Sequence, residues 1–504
     1  MAGRSLRPGR ILWVLAGITA AVVLAGLDTP LRHVTGPDGA DYGRRPALAA
    51  AAVVLMAIWW VTEALPIALT ALVPLLLFPL AGVFGRGFAG DLRASALPYA
   101  DAYIFLFLGG MAIAAAMQEW HLDRRIALTI MRAVGAAPRR LLLGFILATA
   151  FVSLWISNTA TAAMMFPIGM AVIATLEAEA GRRLAGYGAA VMLAIAYGAN
   201  VGGIGTKIGT AANALFAGYV AQNLGIEISF ARFLAVGLPF VLLFLPLVWW
   251  RLWRVGAADA PATTAGRATL EREIARLGPL RSGELLVAAV FLAAVVLWIG
   301  SASLTRALGP ALAPLFPAVR SWSKFVEAGI AMAAALLLVV IPVGGKQALP
   351  LRALKRIPWG TLVLLGGGFA MAAGIEGSGL SAWMASALGA FREQGSLVQV
   401  AAASFATVGL TAIASNTATV GVMLNVLAEA AAPGNVLPVL SAVAIAASCD
   451  FALPAGTPPN AIVFGSGYVT IPRMVRTGIV LDLLAALVAS AWCTFGVRYL
   501  LPAI

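Results

Sequence analysis

FVSLWISNTATAAMMFPIG, residues 151–169, and VGLTAIASNTATVGVML, residues 408–424, share one five-letter core. The copies are Ser157-Asn158-Thr159-Ala160-Thr161 and Ser415-Asn416-Thr417-Ala418-Thr419. Each is a small polar knot between apolar flanks in a chain that is otherwise mostly hydrocarbon.

The chain has 504 residues, of which 61% are hydrophobic and 11% charged. A soluble chain carries about a quarter charged residues. Apolar runs of about 20 residues recur along the length, each able to cross a bilayer as a helix. The fold class is therefore an all-α polytopic membrane protein embedded in a lipid bilayer. The net charge of +13 does not mark a nucleic-acid binder. The basic residues sit in short loops between apolar spans, which is the positive-inside pattern, and no aromatic residues interleave them as nucleic-acid binding would want. Cys449 and Cys493 lie in apolar stretches and give no disulfide framework or metal spacing. His33 and His121 are the only histidines, which disfavours a zinc centre or a catalytic triad. No phosphate-cradling Gly-x-x-x-x-Gly-Lys-Ser/Thr loop occurs, so ATP drive is unsupported.

Spans and charged loops give a countable topology. The apolar run after Arg4, Arg7 and Arg10 is longer than a signal-peptide core and lacks a clear cleavage site, so 11–27 reads as a first span with a cytoplasmic N-terminus. Residues 47–83 break into two spans at Thr62-Glu63 and Pro66, with Glu63 a structural residue at a helix turn; a fourth span covers 101–120. His121 to Arg140, with Glu119, Asp123, Arg124 and Arg125 at its start, suits a solvated arm along the membrane surface. Residues 141–176 hold the first Ser-Asn-Thr string at their middle, with flanks of about 15 residues, too short for two comfortable spans. A re-entrant hairpin dipping in from the cytoplasm fits. Spans near 187–222 and 231–250 follow. The loop 251–283 has six arginines against three acids, which makes it a cytoplasmic linker. Spans near 284–303, 325–342 and 358–380, a second hairpin over 396–432 entering from outside, and spans near 434–466 and 478–501 complete the chain. The sum is about eleven spans and two hairpins, with the C-terminus outside.

A repeat is visible in the letters. Gly109-Gly110 begins 49 residues before Asn158, Gly367-Gly368 begins 49 before Asn416, and both pairs are displaced by 258 residues. The topology puts the hairpins on opposite faces, so the copies are inverted, as in many transporters. Each string also has a downstream partner with the core Gly-Thr-x-x-Asn: Gly209-Thr210-Ala211-Ala212-Asn213 and Gly456-Thr457-Pro458-Pro459-Asn460. Glycine and proline break helices, and broken helices survive at membrane depth only where protein or a cavity satisfies the freed backbone. Exposed N–H groups at half-helix starts attract anions, while carbonyls and Ser, Thr and Asn oxygens suit hard cations. Small residues also serve plain helix packing, but two inverted strings with matched partners favour a site.

At these residues the chain resembles the divalent anion/sodium symporter family, which carries dicarboxylates, citrate or sulfate. The resemblance covers nearly the whole chain and includes Trp59-Trp60-Val61-Thr62-Glu63-Ala64-Leu65-Pro66, both Ser-Asn-Thr strings and Thr457-Pro458-Pro459-Asn460-Ala461. It implies a homodimer, each protomer having a scaffold (1–140 and 284–395, with surface arms) and a transport part (141–250 and 396–504) that moves by alternating access. It implies that Ser157, Asn158 and Thr159, with Thr210, hold one end of a divalent anion, and Ser415, Asn416 and Thr417, with Thr457 and Pro458, the other. It implies one sodium site from Ser153, Ser157, Asn158 and Gly209, and another from Thr411, Ala414, Asn416 and Gly456.

The chain departs from that family's pattern at Ala211-Ala212, where prolines are usual, at Lys207 and at Asp450. Ionisable residues inside a membrane are functional candidates, because their burial is costly. The expectation is that Lys207 supplies fixed charge near the anion, takes over part of a sodium's role and pairs with Asp450; the alternative is that it snorkels or lines a solvated gap. The reading is sodium-coupled uptake of a C4-dicarboxylate such as succinate through the plasma (inner) membrane. Sulfate, sodium-independent exchange, an anion channel and an intramembrane enzyme are the rivals.

Overall fold

The computed structural model describes residues 8–35, 41–261, 266–312 and 325–501. Among these, eight helices are long and apolar enough to cross a membrane, and five apolar helices are shorter. Seven of the long ones, together with Arg45–Val61, Ile67–Ala81, Val326–Val340 and the helix ending at Ala447, occupy the eleven expected span positions. The eighth long helix, Asn158–Ala180, belongs to the first hairpin.

That hairpin pairs Pro138–Ser153 with Asn158–Ala180. The second flank has 23 residues rather than about 15. The expected end at 176 falls before Glu177, but the helix runs on to a left-handed cap at Gly181, where φ is 61°. Glu177 is anchored there by the Leu184 N–H at 2.7 Å and the Tyr468 hydroxyl at 2.8 Å. The second hairpin pairs Ser396–Thr411 with Asn416–Ala430.

The repeated glycines set how closely helices approach. Gly109 lies against the backbone of Ala331, and Gly367 against the backbone of Ala71; a Cβ at either position would collide with main chain. The same relation thus recurs in the two halves, between Ala102–Glu119 and Val326–Val340 and between Trp359–Ser378 and the third span. The Trp-Trp-Val-Thr-Glu stretch ends the second span. Trp59 Nε1 donates to Val14 O at 3.3 Å and Trp60 Nε1 to Ile67 O at 3.2 Å. Thr62 Oγ1 bonds back to Ile58 O at 2.6 Å, and Glu63 takes φ of 48°, a left-handed turn that closes the helix.

Two expectations about the loops need correction. The arm Leu122–Val134 is amphipathic, but of its expected solvated start only His121 is exposed. Asp123 is buried, which pushes its carboxyl up to about 6. Arg125 pairs with Glu284 at 2.6 Å, Arg124 pairs with Glu273, and Glu119 accepts from Arg352 and Arg356 at 2.8 Å each. The linker 251–283 is not plain loop. The helix before it, Phe230–Gly256, extends into it, and its own helix Gly266–Leu277 packs on the arm and the first hairpin. A run of apolar spans hides such packing, because linker helices are polar on most faces and leave only a few contact residues.

Candidate functional site

Both hairpin turns and both Gly-Thr-x-x-Asn cores meet at one cavity of about 930 Å³. The first hairpin contributes Ser157, Asn158 and Thr159, and the first break contributes Gly209 and Thr210. The second hairpin contributes Ser415, Asn416 and Thr417, and the second break contributes Gly456, Thr457 and Pro458. All nine residues assigned to the anion therefore share one space. Glu63, Arg356 and Thr361 also line it.

The local reason is the same in each element. Ser157 caps Asn158–Ala180, its hydroxyl 3.4 Å from the Ala160 N–H, and Thr210 caps Ala211–Asn223, its hydroxyl accepting from the Asn213 N–H at 3.3 Å. Ser415 stands at the start of Asn416–Ala430 with its hydroxyl not used as a cap. Three helix starts thus open on the cavity, with free N–H groups and partial positive charge at each.

The final asparagine of each core acts differently from a ligand. Asn213 Nδ2 donates to the carbonyls of Gly203 at 2.9 Å and Thr206 at 2.7 Å. Asn460 Nδ2 donates to the carbonyls of Asp450 at 3.0 Å and Leu453 at 2.9 Å. Each asparagine satisfies the carbonyls that its helix break frees, which is what makes a break tolerable in hydrocarbon. Asn200 was not singled out from the sequence. Buried at the end of the first broken helix, it donates toward Asp450 O at 3.2 Å and Thr457 Oγ1 at 3.2 Å, and so ties the two breaks together. An amide inside the apolar helix Ala185–Gly203 is the signal that could have found it.

Beside each turn lies a cluster of oxygens. Ser153 Oγ is 2.7 Å from Asn158 Oδ1 and 2.8 Å from Ala199 O. Thr411 Oγ1 is 2.9 Å from Asn416 Oδ1 and 2.8 Å from Ala447 O. A hydroxyl has one proton and serves only one of its two oxygens. Each cluster is therefore oxygen-rich and donor-poor, a donor set that fits a hard cation such as sodium. Ser153, Thr411 and Ala414 are buried just behind the cavity wall, and Gly209 and Gly456 lie on it.

The expected pairing of Lys207 with Asp450 is wrong, and neither residue lines the cavity. Lys207 is 2% exposed and its Nζ is 2.7 Å from Glu327 Oε2 and 5.3 Å from the Tyr103 ring centroid. Glu327 Oε1 accepts from the Phe230 N–H at 2.6 Å and the Ser301 hydroxyl at 3.1 Å. A carboxylate already held by two donors offers the ammonium a better partner than the anion cavity. Glu327 is the one acid in the apolar stretch 325–342, and that isolation was its signal.

Residues 36–500 match the family described as the sodium:sulfate symporter transmembrane region. The chain belongs to this family. It is also 37% identical over 448 residues to the sodium-dependent dicarboxylate transporter SdcS of Staphylococcus saprophyticus, covering 86% of this chain and 82% of that one. SdcS of Staphylococcus aureus is 35% identical over the same coverage. Among solved structures, the YdaH transporter of Alcanivorax borkumensis is similar with a TM-score of 0.55 at 14% identity, over 98% of this chain and 99% of that one. MtrF of Neisseria gonorrhoeae gives 0.54 at 12% identity, over 97% and 94%. The two structures support the all-α membrane fold alone. The matched residues 36–500 include both Ser-Asn-Thr strings and both Gly-Thr-x-x-Asn cores that converge on the cavity.

Proposed function

We propose that this protein is a secondary transporter that carries a small divalent anion, foremost a C4-dicarboxylate such as succinate, together with sodium. The observation that carries the reading is the single cavity walled by both Ser-Asn-Thr turns, in a chain 35–37% identical to sodium-dependent dicarboxylate transporters. The turns offer hydroxyls, amide groups and helix-start N–H groups. Two such sets, one from each half, suit a molecule with an anionic group at each end. Sodium held by Ser153, Ser157, Asn158 and Gly209, and by Thr411, Ala414, Asn416 and Gly456, would offset the anion's charge and so favour joint occupancy. Neutral donors also suit sulfate, the anion in the family's description.

Alternating access follows from the same division. The transport part comprises 141–250 and 396–504, and the scaffold comprises 1–140 and 284–395. Helix Ala185–Gly203 packs on both helices of the first hairpin and on Pro458–Phe464, and Ser396–Thr411 packs on Val436–Ala447 and Ile471–Trp492, so the two transport segments hold together. In this reading they move as one body against a scaffold that dimerises with a second copy. The protein sits in the plasma membrane with its N-terminus in the cytoplasm and its C-terminus outside, as the basic loops favour.

The test is uptake into proteoliposomes with labelled succinate, citrate and sulfate, with and without an inward sodium gradient. Saturable succinate uptake that needs the gradient is expected. No uptake of any divalent anion under either condition would overturn the reading, and equal uptake with potassium alone would remove sodium coupling.

A further inference from the structure

The two oxygen clusters are related by the repeat, but their surroundings differ. Asn213 binds the carbonyl of Gly203, and Asn460 binds the carbonyl of Asp450 in the same way. Gly203 and Asp450 are therefore equivalent. A side chain at Gly203 would run into Asn158 Oδ1 and the Thr210 methyl, the heart of the first cluster. The second half carries such a side chain. The Asp450 carboxylate lies against Gly456, the cavity-wall glycine of the second cluster.

This carboxylate has no protein partner. Asp450 is 0% exposed, and neither Oδ1 nor Oδ2 has a hydrogen-bond partner among the described residues. Among the described residues no lysine, arginine or histidine forms an ion pair with it. Asp482 faces it from Ile471–Trp492 but is itself fixed on the Phe451 N–H at 2.9 Å. Tyr197, from Ala185–Gly203, gives its hydroxyl proton to Phe451 O at 2.7 Å, and Cys449 gives its own to Ile445 O. Arg251, on Phe230–Gly256, donates to Arg476 O at 2.7 Å. Asn200 Oδ1, also buried and unpartnered, belongs to the residue that bonds the Asp450 carbonyl. A buried carboxyl with two idle oxygens, set against the wall glycine beside an oxygen cluster, suits a cation.

We propose that Asp450 is an additional ligand of the second sodium site, which makes that site anionic while its repeat-related partner stays neutral. The second site then binds sodium more tightly than the first and fills before it. This inference rests on the sodium-coupled reading above and adds a residue, and a difference between the two sites, to it.

The experiment is equilibrium binding of radioactive sodium to the purified, folded protein with no dicarboxylate present. The wild-type protein is expected to show two classes of sites, at least about tenfold apart in affinity, since a carboxylate at close range is worth that much even when partly screened. D450N, which keeps the shape and removes the charge, is expected to merge them by weakening the tighter class. S153A is expected to weaken only the looser class. A single class in the wild-type protein overturns the proposal whether or not D450N folds. So does a folded D450N that binds as the wild type does. Absence of any sodium binding would overturn the sodium-coupled reading as well, and the two failures are thus told apart.

Discussion

At the scale of single residues, the cavity's shape depends on side chains that never face the anion. Asn460 is buried and holds the carbonyls of Asp450 and Leu453. Removing its amide in N460A leaves the Leu453 carbonyl without its donor and the Asp450 carbonyl with Asn200 alone, at a cost of about 1–3 kcal/mol for the orphaned acceptor. We expect a lowered melting temperature by size-exclusion fluorescence and a matching loss of succinate binding. Wild-type melting with wild-type binding would show that the break does not need this brace. The motif Gly-Thr-x-x-Asn was legible in the letters, yet its members divide the labour. Glycine lies on the wall, threonine caps or lines, and asparagine satisfies the break. That division depends on where each side chain points, which spacing alone does not specify.

At the scale of elements, the first broken helix is tied to the eighth span by Lys207 and Glu327. A buried pair contributes little net stability, but leaving one member alone costs roughly 3–5 kcal/mol. K207M is therefore expected to melt at a lower temperature than the wild type, and K207M/E327Q to recover part of the loss. Half-saturating sodium for uptake should stay unchanged in K207M, because the ammonium lies outside the cavity. A K207M protein with wild-type melting but a changed sodium requirement would restore the idea that lysine substitutes for a cation. The sequence marked Lys207 as exceptional through its cost in a membrane. Its partner is 120 residues away on another span, and no local pattern connects them.

At the scale of the whole molecule, the cavity is asymmetric about the membrane. Its outlying wall residues, Glu63, Arg356, Pro358 and Thr361, belong to span ends that the basic loops assign to the cytoplasm. On the topology proposed above, the conformation is the one open inward. Cys449 and Cys493 are both fully buried, so a single cysteine introduced as T361C gives a clean probe. A membrane-impermeant maleimide is expected to label T361C from the cytoplasmic side of oriented vesicles and not from outside. Labelling from outside alone would reverse the assignment.

Hydrophobic span lengths, basic loops and two repeated strings are one-dimensional properties, and they were enough to determine an all-α membrane protein with eleven spans, two hairpins and one cavity shared by both strings. The physical reason is that a bilayer leaves few ways to satisfy a backbone, so every departure from apolar helix is visible as a polar break. The choice of partners was decided only in three dimensions. Lys207 is held by Glu327 rather than by Asp450, Asn200 bridges the two breaks, and the Asp450 carboxylate is left unpaired beside Gly456. The two Ser-Asn-Thr strings are identical in letters, but tertiary packing sets Gly203 against Asn158 in the first half and the Asp450 carboxyl against Gly456 in the second.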